Sequence, residues 1–309
     1  MVKFMMLIGL PGSGKTTYAR NLLGGIERWV HLSSDEIAQR HRLPDGSINH
    51  QMTFEEMYRE TVFHLENGMN VIYDATNLAS KRRRSVLNRI EKFEAETEAV
   101  VFLTPYEELK KRNGRRQADE RVPDHIIERY IRAFQLPRKN ENFDWIRFLS
   151  RPPYAHMDLE NMKKQAFSQD KYETFFQCSK ETRPMTEIDE MRTLLRQNNK
   201  IVEVIKKEVN DADEQDLLSW VILLHNIGKA YVRKRLPIEQ DNFYGYEHVS
   251  AYLAYPVLLS WHFPLPFIYD VLLLIDEFEI AKGLKRGKVK RRIGSQNYER
   301  LETLWRIIS

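Results

Sequence analysis

In the first half of the chain, short apolar runs alternate with amphipathic stretches. Phe4–Ile8, Trp29–Leu32, Asn70–Tyr73 and Ala99–Leu103 read as buried strands, being short and mainly apolar. Between them, Thr17–Leu23, Phe54–Asn67 and Lys81–Glu94 read as helices. This alternation predicts an α/β fold, a parallel sheet with helices on both faces. Ligands of such sheets sit beyond the carboxyl ends of the strands. After about residue 150 the pattern changes. Ser150-Arg151-Pro152-Pro153 marks a boundary, because paired prolines break regular elements. Beyond it, Ile188–Val209, Glu214–Ala230, Val249–Trp261 and Pro266–Ile280 read as helices. Two domains are expected, 1–150 and an all-helical 151–309, with no internal repeat and no low-complexity tract.

Composition adjusts this picture only slightly. The 309 residues suffice for two cores, and 42% hydrophobic with 30% charged residues is a globular profile. The net charge of +4 is compatible with a polyanionic partner without requiring one. A single cysteine, Cys178, excludes a disulfide within the chain and fits a reducing compartment. No apolar run reaches the roughly 18 residues of a membrane span. The apolar start Val2–Leu10 runs straight into Pro11-Gly12-Ser13-Gly14-Lys15, which lacks cleavage-site character, so it reads as a strand. A cytoplasmic protein is expected.

The sharpest chemical signal is Gly9-Leu10-Pro11-Gly12-Ser13-Gly14-Lys15-Thr16, the pattern G-x-x-x-x-G-K-[ST] between a strand and a helix. Gly9, Gly12 and Gly14 let the backbone curl so that N–H groups point inward at phosphates. Pro11, Ser13 and Thr17 complete the nucleotide-binding stretch. The helix that follows adds its positive end. Lys15 would reach the β- and γ-phosphates of ATP, and the Thr16 hydroxyl would ligate Mg²⁺.

The same edge should carry an acceptor side. The second strand leads into Ser33-Ser34-Asp35-Glu36, where Asp35 could serve as general base to an incoming hydroxyl. Alternatively, Asp35 caps the next helix, a task Ser33 or Ser34 would do equally well. Asp74-Ala75-Thr76-Asn77 closes the third strand. There Asp74 could hold a water of the Mg²⁺ shell or contact the acceptor, while Thr76 and Asn77 could hold phosphate or hydroxyl oxygens. The basic run Lys81-Arg82-Arg83-Arg84 follows, either a solvated helix face or a polyanion contact. After the fourth strand come Lys110-Lys111-Arg112-Asn113-Gly114-Arg115-Arg116 and Arg121-Val122-Pro123. Arginines on a mobile segment there could close over the transferring phosphoryl group, the alternative being a solvated basic helix.

Together these four segments resemble the phage-type polynucleotide 5′-kinases and their relatives in RNA repair, over about residues 1–150. The resemblance implies a P-loop kinase domain that transfers the γ-phosphate of ATP to 5′-hydroxyl ends of RNA or DNA. It gives Asp35 the general-base role and makes Asp74–Asn77 the acceptor motif. Arg112–Arg116 becomes a lid, in which Arg116 clamps the phosphate with Arg112 as second candidate. The family usually carries an arginine three residues after the base, where this chain has Ala38; Arg40, Arg82, Arg83 or Arg84 could substitute. Arg83 is included with Asp35, Asp74, Thr76 and Asn77 in the expected acceptor-binding set.

In the second domain, Leu223–Lys229 and Tyr244–Ala251 resemble an HD-type phosphohydrolase. That helical family holds a divalent metal with paired His and Asp ligands. Some polynucleotide kinases carry such a domain as a 3′-phosphatase. Here the His-Asp pair reads His225-Asn226, Tyr246 stands where a histidine belongs, and Ile188-Asp189-Glu190 lacks the upstream histidine. An amide replaces a bridging carboxylate poorly, so a phosphohydrolase relic without metal hydrolysis is expected, with a live 3′-phosphatase as the alternative. Lys282–Arg292 holds seven cations around Gly283 and Gly287, which suggests a basic loop suited to a phosphate backbone or to solvent. For the whole chain, end repair of nucleic acid is the leading expectation. A small-molecule kinase and a nucleotide-dependent regulatory module are the alternatives.

Overall fold

A computed structural model describes residues 1–23, 28–117, 121–149, 185–233 and 245–309. The expected boundary at Ser150–Pro153 and the lone Cys178 lie outside the described residues. By contacts the chain divides into two units. One holds Met1–Tyr130 and Pro137–Ser150, the other Ile131–Leu136 and Arg151–Ser309.

The first unit is a five-stranded sheet in the order β2-β3-β1-β4-β5, with every pairing parallel. Its strands are β1 (Lys3–Gly9), β2 (Trp29–Ser33), β3 (Asn70–Asp74), β4 (Glu96–Phe102) and β5 (Trp145–Leu149). β1 is central and buried from Phe4 onward, as a strand covered on both faces must be. The chain leaves β1 toward β2, returns to β3 and then crosses to β4 on the other side. The carboxyl end of β1 is therefore a topological switch point, where such sheets open a crevice for ligands. Around the sheet run α1 (Lys15–Leu23), α2 (Ser34–Arg40), α3 (His50–Glu66), α4 (Ser80–Ile90), α5 (Tyr106–Gly114) and α6 (Asp124–Ala133).

Four expected strands and three expected helices of this unit are present. The sequence pattern misses β5, an edge strand whose Trp145 is exposed. Lys110–Gly114, expected in a mobile segment or a basic helix, belongs to the helix α5.

The described part of the second unit is helical. The stretch expected as one helix over Glu214–Ala230 divides at His225–Asn226 into Ala212–Leu224 and Ile227–Arg233. Gly228 explains part of this local sequence. Its N–H donates to Ser250 Oγ at 2.9 Å, and a β-carbon on it would approach Ser250 N to 2.8 Å. The Ile227–Arg233 and Tyr246–Ser260 helices cross too closely there for any side chain. Arg300 ties three further helices together, reaching both oxygens of Glu214 at 2.8 and 2.9 Å and Asp270 at 2.9 Å. The basic stretch expected as a loop instead contains a helix, Arg286–Ile293, whose Val289 and Ile293 are buried beneath the exposed cations. No described helix is long and apolar enough to cross a membrane.

Candidate phosphate-binding site

The loop after β1 is fixed by its own backbone and by the turn beside it. Ser13 N donates to Leu10 O at 3.1 Å, and Gly9 N donates to Thr76 O at 3.0 Å. Gly12 and Gly14 have φ of 79° and 99°, a region that side-chain-bearing residues rarely occupy. Lys15 is buried, and its Nζ donates to Gly9 O and Leu10 O, both at 3.0 Å. Burial pushes this ammonium below its ordinary value. Asp74 and Asp35 pull the other way, while Arg116 adds to the depression. The charges of Asp74, Asp35 and Arg116 thus all reach Lys15 at this edge of the sheet.

Thr16 Oγ1 donates to Asp74 Oδ2 at 2.8 Å. A hydroxyl and a carboxylate meeting at the start of α1 form an oxygen donor set that fits Mg²⁺. The same carboxylate oxygen lies 3.0 Å from His31 Nε2. The sequence alone does not mark His31, because a histidine within a strand carries no local sign of a partner 43 residues away.

At the amino end of α2, the Ser33 side chain accepts from Glu36 N and makes the cap. Asp35 sits exposed in the first turn beyond it. The capping alternative for Asp35 is thereby removed.

Arg112 lies against the loop. Its Nη1 donates to Ser13 O at 3.3 Å and approaches Gly12 O at 3.5 Å, while its Nε donates to Glu108 Oε1 at 2.8 Å. Asn113 holds the chain that follows, donating to Val122 O at 2.7 Å and accepting from Val122 N at 2.9 Å. These two bonds fix the turn that carries Arg116. Asn113→Ala breaks both in a buried setting, where each unsatisfied group costs about 1–3 kcal/mol. Thermal melts of that variant should show the loss as a lowered Tm.

Two expected acceptor residues have side chains engaged within the protein. Asn77 is buried with φ of 49°, a conformation asparagine tolerates, and its Nδ2 donates to Leu7 O at 2.7 Å. Its amide pins the turn to β1. Arg83 is fully buried in α4, where its guanidinium binds both oxygens of Glu141 at 2.8 Å and donates to Asn77 O and Leu78 O. Arg83 is a structural residue beneath the turn, because every edge of its guanidinium already faces a protein acceptor. Thr76 is partly exposed at the edge, and Thr17 is exposed on α1.

In the helical unit the expected phosphohydrolase positions are engaged internally. His225 Nδ1 lies 2.8 Å from Ile222 O, its ring is 4.6 Å from that of Phe278, and Asn226 exchanges amide bonds with Asn198 at 2.9 and 3.3 Å. His248 Nδ1 meets Asp276. Among the described residues, no three His, Cys, Asp or Glu side chains are placed to hold a metal ion.

Burial pushes the His225 imidazole down to about 4 from 6.5, overriding the opposing pull of the Ile222 carbonyl. The unfolded chain therefore takes up this proton first as pH falls. The contribution is full above about pH 6.5 and is lost progressively toward pH 4, about 3 kcal/mol in all. Urea unfolding of the helical unit followed across that range should show the loss, and His225→Gln should remove that dependence.

A protein-family model described as an AAA domain matches residues 4–137. Among solved structures, the Pnkp1/Rnl/Hen1 RNA repair complex is similar at 26% identity with a TM-score of 0.40, over 51% of this chain and 52% of that one. A second structure of a Pnkp1/Rnl/Hen1 complex matches at 25% identity and 0.34, over 51% and 49%. A fungal RNA kinase matches at 21% identity and 0.38, over 61% and 92%. The chain spans about half the length of the first two. Sheet order and loop define the class: the amino-terminal unit is a P-loop domain of kinase-like fold, followed by a helical region.

Proposed function

We propose that this chain is an ATP-dependent kinase acting on 5′-hydroxyl ends of RNA or DNA, in nucleic-acid end repair. The observation that carries the reading is Lys15 buried on the loop carbonyls beside the Thr16–Asp74 pair, at the sheet edge where Asp35 stands exposed and the Ser33 side chain makes the helix cap. Lys15 would exchange its two loop carbonyls for the β- and γ-phosphate oxygens. Asp35 would accept the proton of the 5′-hydroxyl as its oxygen bonds the γ-phosphorus and the bond to the bridging oxygen of ADP breaks. Arg112, already against the loop, and Arg116 would stabilise the charge spread over the transferring group. Thr16 and Asp74 would hold Mg²⁺, which supplies neutralisation of the triphosphate. On this reading Asp74 serves the metal shell rather than the acceptor.

The helical unit is read as a phosphohydrolase-like domain without metal hydrolysis. The Asn226 amide pairs with Asn198 where the metal chemistry would need a carboxylate. Release of phosphate from a 3′-phosphorylated oligonucleotide, abolished by His225→Ala, would overturn that part.

The test of the kinase reading is transfer of labelled γ-phosphate to a 5′-hydroxyl oligonucleotide, offered beside nucleosides, sugars and other small alcohols. Labelling of the oligonucleotide is expected. Labelling of a small alcohol alone would make the chain a small-molecule kinase. ATP hydrolysis with no stable product would make it a nucleotide-dependent regulatory module.

A further inference from the structure

The kinase reading leaves the acceptor strand without an arginine at Ala38, and the four candidate replacements are not equivalent. Arg40 is held by Glu56 and Glu60 at 2.7 and 2.5 Å. Arg83 is buried on Glu141. Arg84 is exposed. Arg82 is different: its guanidinium lies over the Phe54 ring, 4.1 Å from the centroid. Two turns along α4, Arg89 repeats the arrangement over Tyr58, at 4.8 Å. Phe54 and Tyr58 are one turn apart on α3. Among the described residues neither arginine is ion-paired.

Topology sets the direction of this ladder. α4 begins directly after the Asp74–Asn77 turn, so Arg82 in its first turn lies at the edge that carries Asp35. α3 runs back toward the start of β3, so its amino end, with Phe54, lies at that edge too. Arg89 and Tyr58 stand farther down the same pair of helices. Both guanidinium groups act on the phenol of Tyr73, which burial pushes up to about 12 and which they pull down. α4 has no acidic residue, and cations in its first turn oppose its dipole, so helix stability does not account for them.

We propose that Arg82 on Phe54 and Arg89 on Tyr58 form the path of the acceptor strand, binding phosphates on the 3′ side of the reacting 5′-hydroxyl. The aromatic faces hold each guanidinium by its π-face contact, which leaves N–H groups for phosphodiester oxygens. Seven residues of helix separate the two by about 10 Å, roughly the rise of three stacked nucleotides. Arg82 meets the first phosphate and Arg89 a later one. The path rests on the kinase reading and makes the enzyme select a polynucleotide over a small alcohol.

The test compares two acceptors, a nucleoside 3′-monophosphate and a single-stranded 5′-hydroxyl hexamer. Arg82→Ala should raise KM for both about tenfold or more, and Arg89→Ala should raise it for the hexamer only. KM for ATP and the thermal melt of each variant should match wild type, the first within twofold, and Lys207→Ala, at an exposed cation in the helical unit, serves as the charge control. Each variant should also lower the salt dependence of hexamer binding, measured by fluorescence anisotropy, by about 0.7 in log–log slope. Hexamer binding unchanged in both variants overturns the path. Wild-type protein that binds the hexamer through Arg82 and Arg89 without phosphorylating it overturns the kinase reading and leaves the path standing.

Discussion

Asp35→Asn is expected to lower phosphoryl transfer by about 10²–10⁴-fold, the usual contribution of a positioned general base, while ATP affinity changes by no more than a few-fold. The substitution keeps the size of the side chain and removes its basicity and its negative charge. Because the Ser33 side chain caps α2, losing the Asp35 carboxylate leaves the helix start intact, and the thermal melt should be unchanged. The carboxylate also pulls on Lys15, so a small loss of ATP affinity is the expected side effect. Single-turnover transfer with equilibrium ATP binding on the same sample separates the two. Turnover equal to wild type would remove Asp35 from the chemistry. A large loss of ATP affinity with normal turnover at saturation would make it a partner of Lys15 only.

What was legible from sequence follows a physical division. The loop was readable because glycines, lysine and threonine at fixed spacing act through the local backbone. Sheet class was readable because β1 is apolar from Phe4 to Ile8 and β3 keeps an apolar centre, Val71–Tyr73. By contrast, β5 carries Trp145 and Arg147 on an exposed edge, where burial no longer marks the pattern. His31 and Asn113 gain their meaning from partners across the fold or the turn, Asp74 and Val122, which spacing does not reveal.

The run Lys81–Arg84 shows the limit most clearly. Four consecutive residues sweep about 300° of a helix, so one of them must face inward. Composition alone cannot say which. The fold chose Arg83, and its partner Glu141 lies 58 residues on. Likewise, the seven cations of Lys282–Arg292 obscured a helix whose buried face is only Val289 and Ile293.

Arg83→Ala should therefore act on stability first. The side chain is 0% exposed and Glu141 1%, and the two make a bidentate pair with both bonds at 2.8 Å. Removing the guanidinium strands a buried carboxylate and takes a donor from the carbonyls of Asn77 and Leu78. Breaking one side of such a pair costs about 3–5 kcal/mol. For a unit of this size that corresponds to a fall in Tm of roughly 10–15 °C. Arg83→Lys should recover little, since one ammonium cannot reproduce the planar fork. Removing both charges in Arg83→Met with Glu141→Leu should restore most of the loss, because the stranded carboxylate is gone. Circular-dichroism melts of the three variants test this directly. An acceptor-binding role for Arg83 predicts the opposite pattern, a raised oligonucleotide KM at unchanged Tm in Arg83→Ala, and that result would return Arg83 to the acceptor site.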